Sequence, residues 1–347
     1  MGMIMSEEEF KKSEEASIAQ DDASEQENEA IQDESQSGKK KKHKRLSKKQ
    51  AIIVSVVSVV IVIVIVLTCC FMLINELRFM SYSKEKMQAN ALVYQTRYND
   101  GKVKFIAHRG LSVEAYQNTF DAFLLAGQDE HIYGIETDVW MTADDGMVCM
   151  HDRDSLQGIK NVNEVSLEVA MTTPIKSNPA CYAPSIQQYL DVCNTYGKVA
   201  IIELKDDKMT NANLDRLLQI VAESGAQATY ISFHFKLLDY IRSKDSEVEL
   251  QLLSFKGVVG LINDVHLTYD QEMQLVIDRR MCLSCNYLFL AKDVAERFHK
   301  AGLKVGVWTL NNARSAICCA ADFHADYITT DVRLYKDIEK YIDDLIE

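Results

Sequence analysis

Proline is scarce in this chain, three in 347 residues, and no proline-rich or other low-complexity tract follows the N-terminal head, so an extended linker architecture is excluded. No unit of about 20 to 50 residues recurs, which excludes solenoids and propellers. Cysteine and histidine never fall in zinc-site order, and the one CxxC, Cys282 to Cys285, has no second pair to complete an all-cysteine zinc site. The most informative absence is that of charge: no Asp, Glu, Lys or Arg occurs from Ala51 through Ile74. At a rise of about 1.5 Å per residue, such a helix is long enough to span a bilayer.

A buried core helix is rarely apolar all round over such a length, and a cleaved signal peptide has an apolar stretch of only about 7 to 15 residues before a small-residue cleavage site. The run is therefore expected to be an uncleaved transmembrane helix, 51–74. Residues 39–49 carry eight Lys or Arg. A basic cluster beside a span stays on the cytoplasmic side, which sets the N-terminus inside and everything after the span outside, at the cell membrane. The head, 1–38, has twelve acidic and two basic side chains, too polar to bury a core, and is expected to be disordered. Residues 50–347 keep −11 of the total charge of −13, so nucleic acid is not an expected partner. The organisation expected is an acidic head 1–38, a basic juxtamembrane block 39–50, a span 51–74, a polar stalk 75–100 and a catalytic domain 101–347.

The last segment has the length of one (β/α)8 barrel, and its pattern agrees: short apolar runs alternate with helix-like stretches such as 211–223, 235–244, 291–301 and 311–321. Nine strand-like runs compete for eight places. Either the run near Cys282 is irregular or one of the others lies outside the barrel.

In a parallel barrel the reactive groups follow the strands. His108 and Arg109 end the first run, Glu136 and Asp138 lie in the second, His151 ends MVCM, Glu203 and Lys205 end VAIIELK, and Trp308 ends VGVW. Glu136 and Asp138, two apart on a strand, share a face, as do Glu203 and Lys205. Carboxylates gathered in a barrel mouth repel each other unless a cation separates them, and an all-oxygen set favours Mg2+ or Ca2+ over zinc. A lone acid or histidine after a strand is more often a cap or a surface group. Together, two histidines, two cations and three carboxylates form a consistent set for cleaving a phosphate ester.

AHRG, QNTFDAF, IETDVWMTADDGMVCMHD, IIELK, GLKVGVWTLNN and ADYITTD together resemble the glycerophosphodiester phosphodiesterase family. The resemblance implies a TIM-type barrel of the phospholipase C-like phosphodiesterase kind. It also implies hydrolysis of glycerophosphodiesters, or of glycerophosphate-containing lipid or polymer, to glycerol 3-phosphate and an alcohol. It gives His108 and His151 acid and base roles, Glu136, Asp138 and Glu203 the metal, Arg109 and Lys205 the phosphate, and Trp308 a wall of the glycerol pocket. The family's usual Ala-Pro-Glu-Asn-Thr departs here to Tyr116 for proline and Gln117 for glutamate, and no proline follows Asp331. Gln117 leaves open an impaired binding module, and a transferase that stops at a cyclic phosphate is a separate alternative. Seven of the nine cysteines lie outside the span, and their settings are those of buried structural thiols.

Overall fold

The computed structural model describes residues 79–254 and 268–347, together with the single positions Val57, Val62, Val66, Leu73 and Leu77, each helical and exposed. The acidic head, the basic block and most of the expected span lie outside the described residues. Among the described residues no helix is long and apolar enough to cross a membrane.

In chain order the elements begin with helix α1 (Lys84–Asn99), β1 (Lys104–Ala107), α2 (Phe120–Gly127), β2 (Ile132–Met141), β3 (Met147–Cys149), α3 (Leu167–Thr172), β4 (Pro174–Ile175), β5 (Asn178–Tyr182) and α4 (Ile186–Thr195). There follow β6 (Val199–Leu204), α5 (Asn211–Ser224), β7 (Ala228–Ser232), α6 (Phe235–Lys244), β8 (Glu249–Ser254), α7 (Tyr269–Asp278), β9 (Cys282–Asn286), α8 (Lys292–Lys300), β10 (Val305–Trp308), α9 (Ala313–Asp322), β11 (Tyr327–Thr330) and α10 (Leu334–Ile346). The parallel strands run β1-β2-β6-β7-β8-β9-β10-β11, and β1 pairs with both β2 and β11. The sheet is thus an eight-stranded closed barrel, as the alternation of runs predicts.

Burial on both faces explains why these strands read as continuous apolar runs: all six residues of β6 are buried. The four helix-like stretches correspond to α5, α6, α8 and α9. Helices α4 and α5 start at capping boxes built on Ser185 and Thr210, which satisfy the first free N–H groups and end the preceding loop sharply.

The ninth run is β3. It pairs antiparallel with the extended end of β2 and stands outside the barrel, whereas the run at Cys282 is the regular barrel strand β9. With α3, β4 and β5 it forms an excursion in which Val148, Met150, Leu156, Val162, Ala170, Ile175 and Ala183 make an apolar cluster apart from the main core, while Met147 and Cys149 of β3 join that core. All three prolines, Pro174, Pro179 and Pro184, fall here.

Residues 75–100, read from the sequence as a stalk, contain α1, which buries Met87, Asn90, Ala91 and Tyr94 and packs on α9 and α10. Asn90 and Lys86 bond Asp322 at the end of α9. Arg314 holds the entering chain by donating to the carbonyls of Phe79 and Tyr82. The packed body includes this helix because Met87, Ala91 and Tyr94 recur at helical spacing on one face.

Candidate active site

After β1 the chain turns through two left-handed residues, Arg109 at φ 57° and Gly110 at φ 79°. At Gly110 a Cβ would lie 2.5 Å from the carbonyl carbon of Ala122, so only glycine lets this turn settle on α2. The conformation aims the backbone N–H of Arg109 at Glu136 Oε2, 2.8 Å away. Its guanidinium Nη1 donates to Gln117 Oε1 at 2.5 Å, and Nε lies 3.1 Å from Asp138 Oδ2.

The three carboxylates come together as expected. Glu136 and Asp138 project from β2, and Glu203 of β6 is in register with Asp138. All three are buried, with one oxygen of each lying within 4.8 Å of the others. Asn118 Nδ2 donates to Asp138 Oδ2 at 2.8 Å. Lys205 Nζ reaches Asp138 Oδ1 at 3.1 Å and Glu203 Oε1 at 2.9 Å as ion pairs rather than aligned hydrogen bonds. Glu136 Oε1, Asp138 Oδ1 and Glu203 Oε1 are thus left without a hydrogen-bond donor.

Burial, with Asp138 and Glu203 beside it, holds the Glu136 carboxyl well above the ordinary range. Burial and then Asp138 push Glu203 up to about 8. Burial acts on Asp138 too, but Lys205 and Arg109 pull it below its usual value. Three clustered carboxylates, two of which resist ionisation, could share a cation. The all-oxygen set fits a hard divalent ion.

Both histidines face the same opening. His108 Nδ1 lies 2.7 Å from Asp331 Oδ1. Burial would raise that carboxyl, but hydrogen bonds from His108, Asn311 and Ser112 bring it down to about 2. An ionised carboxylate only accepts, so Nδ1 carries the proton and Nε2 is left for exchange. His151 arrives from the excursion rather than from a barrel strand, with Nδ1 3.0 Å from Asp152 Oδ1 and its backbone carbonyl accepting from Trp140 Nε1. Burial pushes its ring below the ordinary histidine value, against the pull of Asp138.

His108, Arg109, Glu136, His151, Glu203, Lys205 and Trp308 all line one pocket of about 620 Å³, part of it open to solvent. Asp138 lies just behind, at 0% exposure. Every site residue expected from the sequence is therefore at this mouth. Asp331, Asn118 and Asn311 were not given roles, although they stand inside the stretches ADYITTD, QNTFDAF and GLKVGVWTLNN. Apolar groups complete the wall: Ile106, Ile201, Ile231, Leu253 and Phe233, the last edge-on to Trp308 at 5.9 Å.

A family model described as the Glycerophosphoryl diester phosphodiesterase family matches residues 108–331. An uncharacterized protein of Mycoplasma genitalium is 25% identical over 241 residues, 64% of this chain and 93% of that protein. An Oleispira antarctica phosphodiesterase, solved in complex with the product sn-glycerol-3-phosphate, superposes with a TM-score of 0.59 at 19% identity, over 69% of this chain and 96% of that one. A glycerophosphodiester phosphodiesterase of Parabacteroides distasonis gives 0.56 at 22% identity, over 71% and 99%. At these identities the solved structures speak to the barrel alone.

Proposed function

Because this chain belongs to the glycerophosphoryl diester phosphodiesterase family, we propose that it hydrolyses glycerophosphodiesters to glycerol 3-phosphate and an alcohol, using a divalent cation, Mg2+ or Ca2+, held by Glu136, Asp138 and Glu203. The observation that carries this reading is the convergence of two histidines, two cations and three donor-starved carboxylates on one pocket. When bound, the cation supplies charge neutralisation to the phosphate and lets all three carboxylates ionise. The chain's own groups do the rest. Arg109 and Lys205, each fixed against Asp138, present positive charge to the phosphate oxygens. One histidine takes a proton from the attacking water, whose oxygen stays on phosphorus, and the other gives a proton to the departing alcohol oxygen as its bond to phosphorus breaks. Asp331 holds His108 in the tautomer that leaves Nε2 free for this exchange.

Release of glycerol 3-phosphate from a panel of glycerophosphodiesters, with Mg2+, with Ca2+ and in excess chelator, tests the reaction. Chelator should abolish it. H108A and H151A should each lower kcat by about a hundredfold or more with the fold intact. Undiminished turnover in either variant or in chelator would sink the mechanism, and accumulation of a cyclic phosphate would assign the transferase alternative instead.

The same reading sets the barrel on the outer face of the cell membrane, tethered by 51–74, beside lipid or polymer substrates that carry glycerophosphate. It rests on the uncharged run and the eight basic residues before it. Protease added to intact cells should remove the C-terminal domain and spare the head; the opposite pattern would reverse the topology.

A further inference from the structure

The floor of the pocket holds a neutral acceptor that none of these steps uses. Gln251 projects inward from β8, is only 2% exposed, and lines the pocket with Ser284 and Thr329. Its Nε2 donates to Glu249 Oε1 at 3.1 Å. Chemistry fixes the direction of that amide, because a carboxylate only accepts: the NH2 must face Glu249 and the carbonyl oxygen must turn away from it. Glu249 is itself held from below, where its Oε2 accepts from Lys304 Nζ at 2.6 Å and from the Tyr327 hydroxyl at 3.0 Å. Burial pushes the Tyr327 phenol far above its usual range, which keeps its O–H a donor.

Glu249 and Gln251, two apart on one strand, share its inward face. The chain of bonds from Lys304 and Tyr327 through Glu249 to Gln251 therefore runs inside the barrel and stops at the pocket floor. Among the described residues no donor bonds Gln251 Oε1. Ile106, Ile201, Ile231 and Leu253 line the same pocket. An acceptor oriented in this way, in a pocket with so much apolar wall, is placed to take a hydrogen bond from a ligand.

We propose that Gln251 Oε1 accepts a hydrogen bond from an alcohol hydroxyl of the bound phosphodiester, and that this residue discriminates an organic arm that bears hydroxyls from one that lacks them. This deepens, and rests on, the reading of the pocket as a phosphodiester site.

The test is binding, which does not depend on turnover. Glycerol 3-phosphate and propyl phosphate, which differ only in the two hydroxyls, are titrated calorimetrically into the full chain with Mg2+, for the natural protein, Q251M and Q251N. Methionine keeps the length of the side chain and removes the acceptor. Asparagine keeps the polarity and withdraws the oxygen, so a fold lost by one variant leaves the other to decide. The natural chain should prefer glycerol 3-phosphate by at least about tenfold, and both variants should fall below about threefold through weaker binding of glycerol 3-phosphate alone. A preference kept in a folded variant, or none in the natural chain, overturns the proposal. If the preference behaves as stated while no diester is hydrolysed, the hydrolytic reading fails and the role of Gln251 stands.

Discussion

Arg109 is held by two unlike partners, the Asp138 carboxylate and the neutral Gln117 amide. Charge-assisted bonds are roughly twice as strong as neutral ones, so a glutamate at 117 would grip the guanidinium harder and change how freely it meets phosphate. Q117E should leave the fold intact and change kcat/KM for glycerophosphodiesters by at least about threefold, equivalent to roughly 0.7 kcal/mol. An unchanged value across several substrates would make Gln117 a neutral replacement. Asp331 makes a separate statement about stability. Its folded carboxyl sits at about 2 against an ordinary 3.8. A depressed carboxyl contributes fully above its unfolded value and loses that contribution as pH falls through its folded one, here between about pH 4 and 2. The contribution is about 2 kcal/mol. Urea unfolding at pH 2 and at pH 5 should show the natural chain gaining about that much more than D331N; equal gains would remove His108 and Asp331 from the acid response.

The elements were legible wherever the chain alone determines them. Strands buried on both faces announce themselves as apolar runs, and helices α5, α6, α8 and α9 announce themselves by period. What could not be read was which partner an apolar run takes. All three residues of β3 are buried, as in any barrel strand, yet they pair antiparallel with β2 outside the barrel, Met147 and Cys149 packing into the main core and Val148 into the smaller cluster. Nothing in three residues encodes that choice. At the site, charged pairs at strand ends were visible, because their spacing of two is itself the geometry. Asp331 was not, since its partner His108 lies 223 residues away and an aspartate after a strand usually caps a helix. Gln251 was hidden for another reason: a single polar residue in a strand gives no sign of whether it faces a cavity or a neighbour. Helix α1 read as a stalk because its apolar residues do not keep to one face: Met87, Ala91 and Tyr94 are buried while Leu92 and Val93 are exposed.

The eight parallel strands close into a barrel, and the excursion is appended to it through β3, the edge strand that pairs with β2. Catalysis therefore draws its two proton carriers from two apolar cores, His108 from the barrel and His151 from the smaller cluster. Small cores open at lower free energy than large ones, and contiguous pieces open together. Warming should withdraw His151 first, so activity should fade reversibly at least about 5 °C before the barrel melts. The chain's two tryptophans divide between the parts: Trp140 packs on the smaller cluster and Trp308 lines the barrel pocket. With W308F the fluorescence of Trp140 should follow the loss of activity, and with W140F that of Trp308 should follow the later transition; a single shared midpoint would make the two cores one cooperative unit. The antiparallel placement of β3 thus amounts to a thermal fuse, in which the upper working temperature is set by the excursion and can shift with substitutions there while the barrel keeps its own melting point.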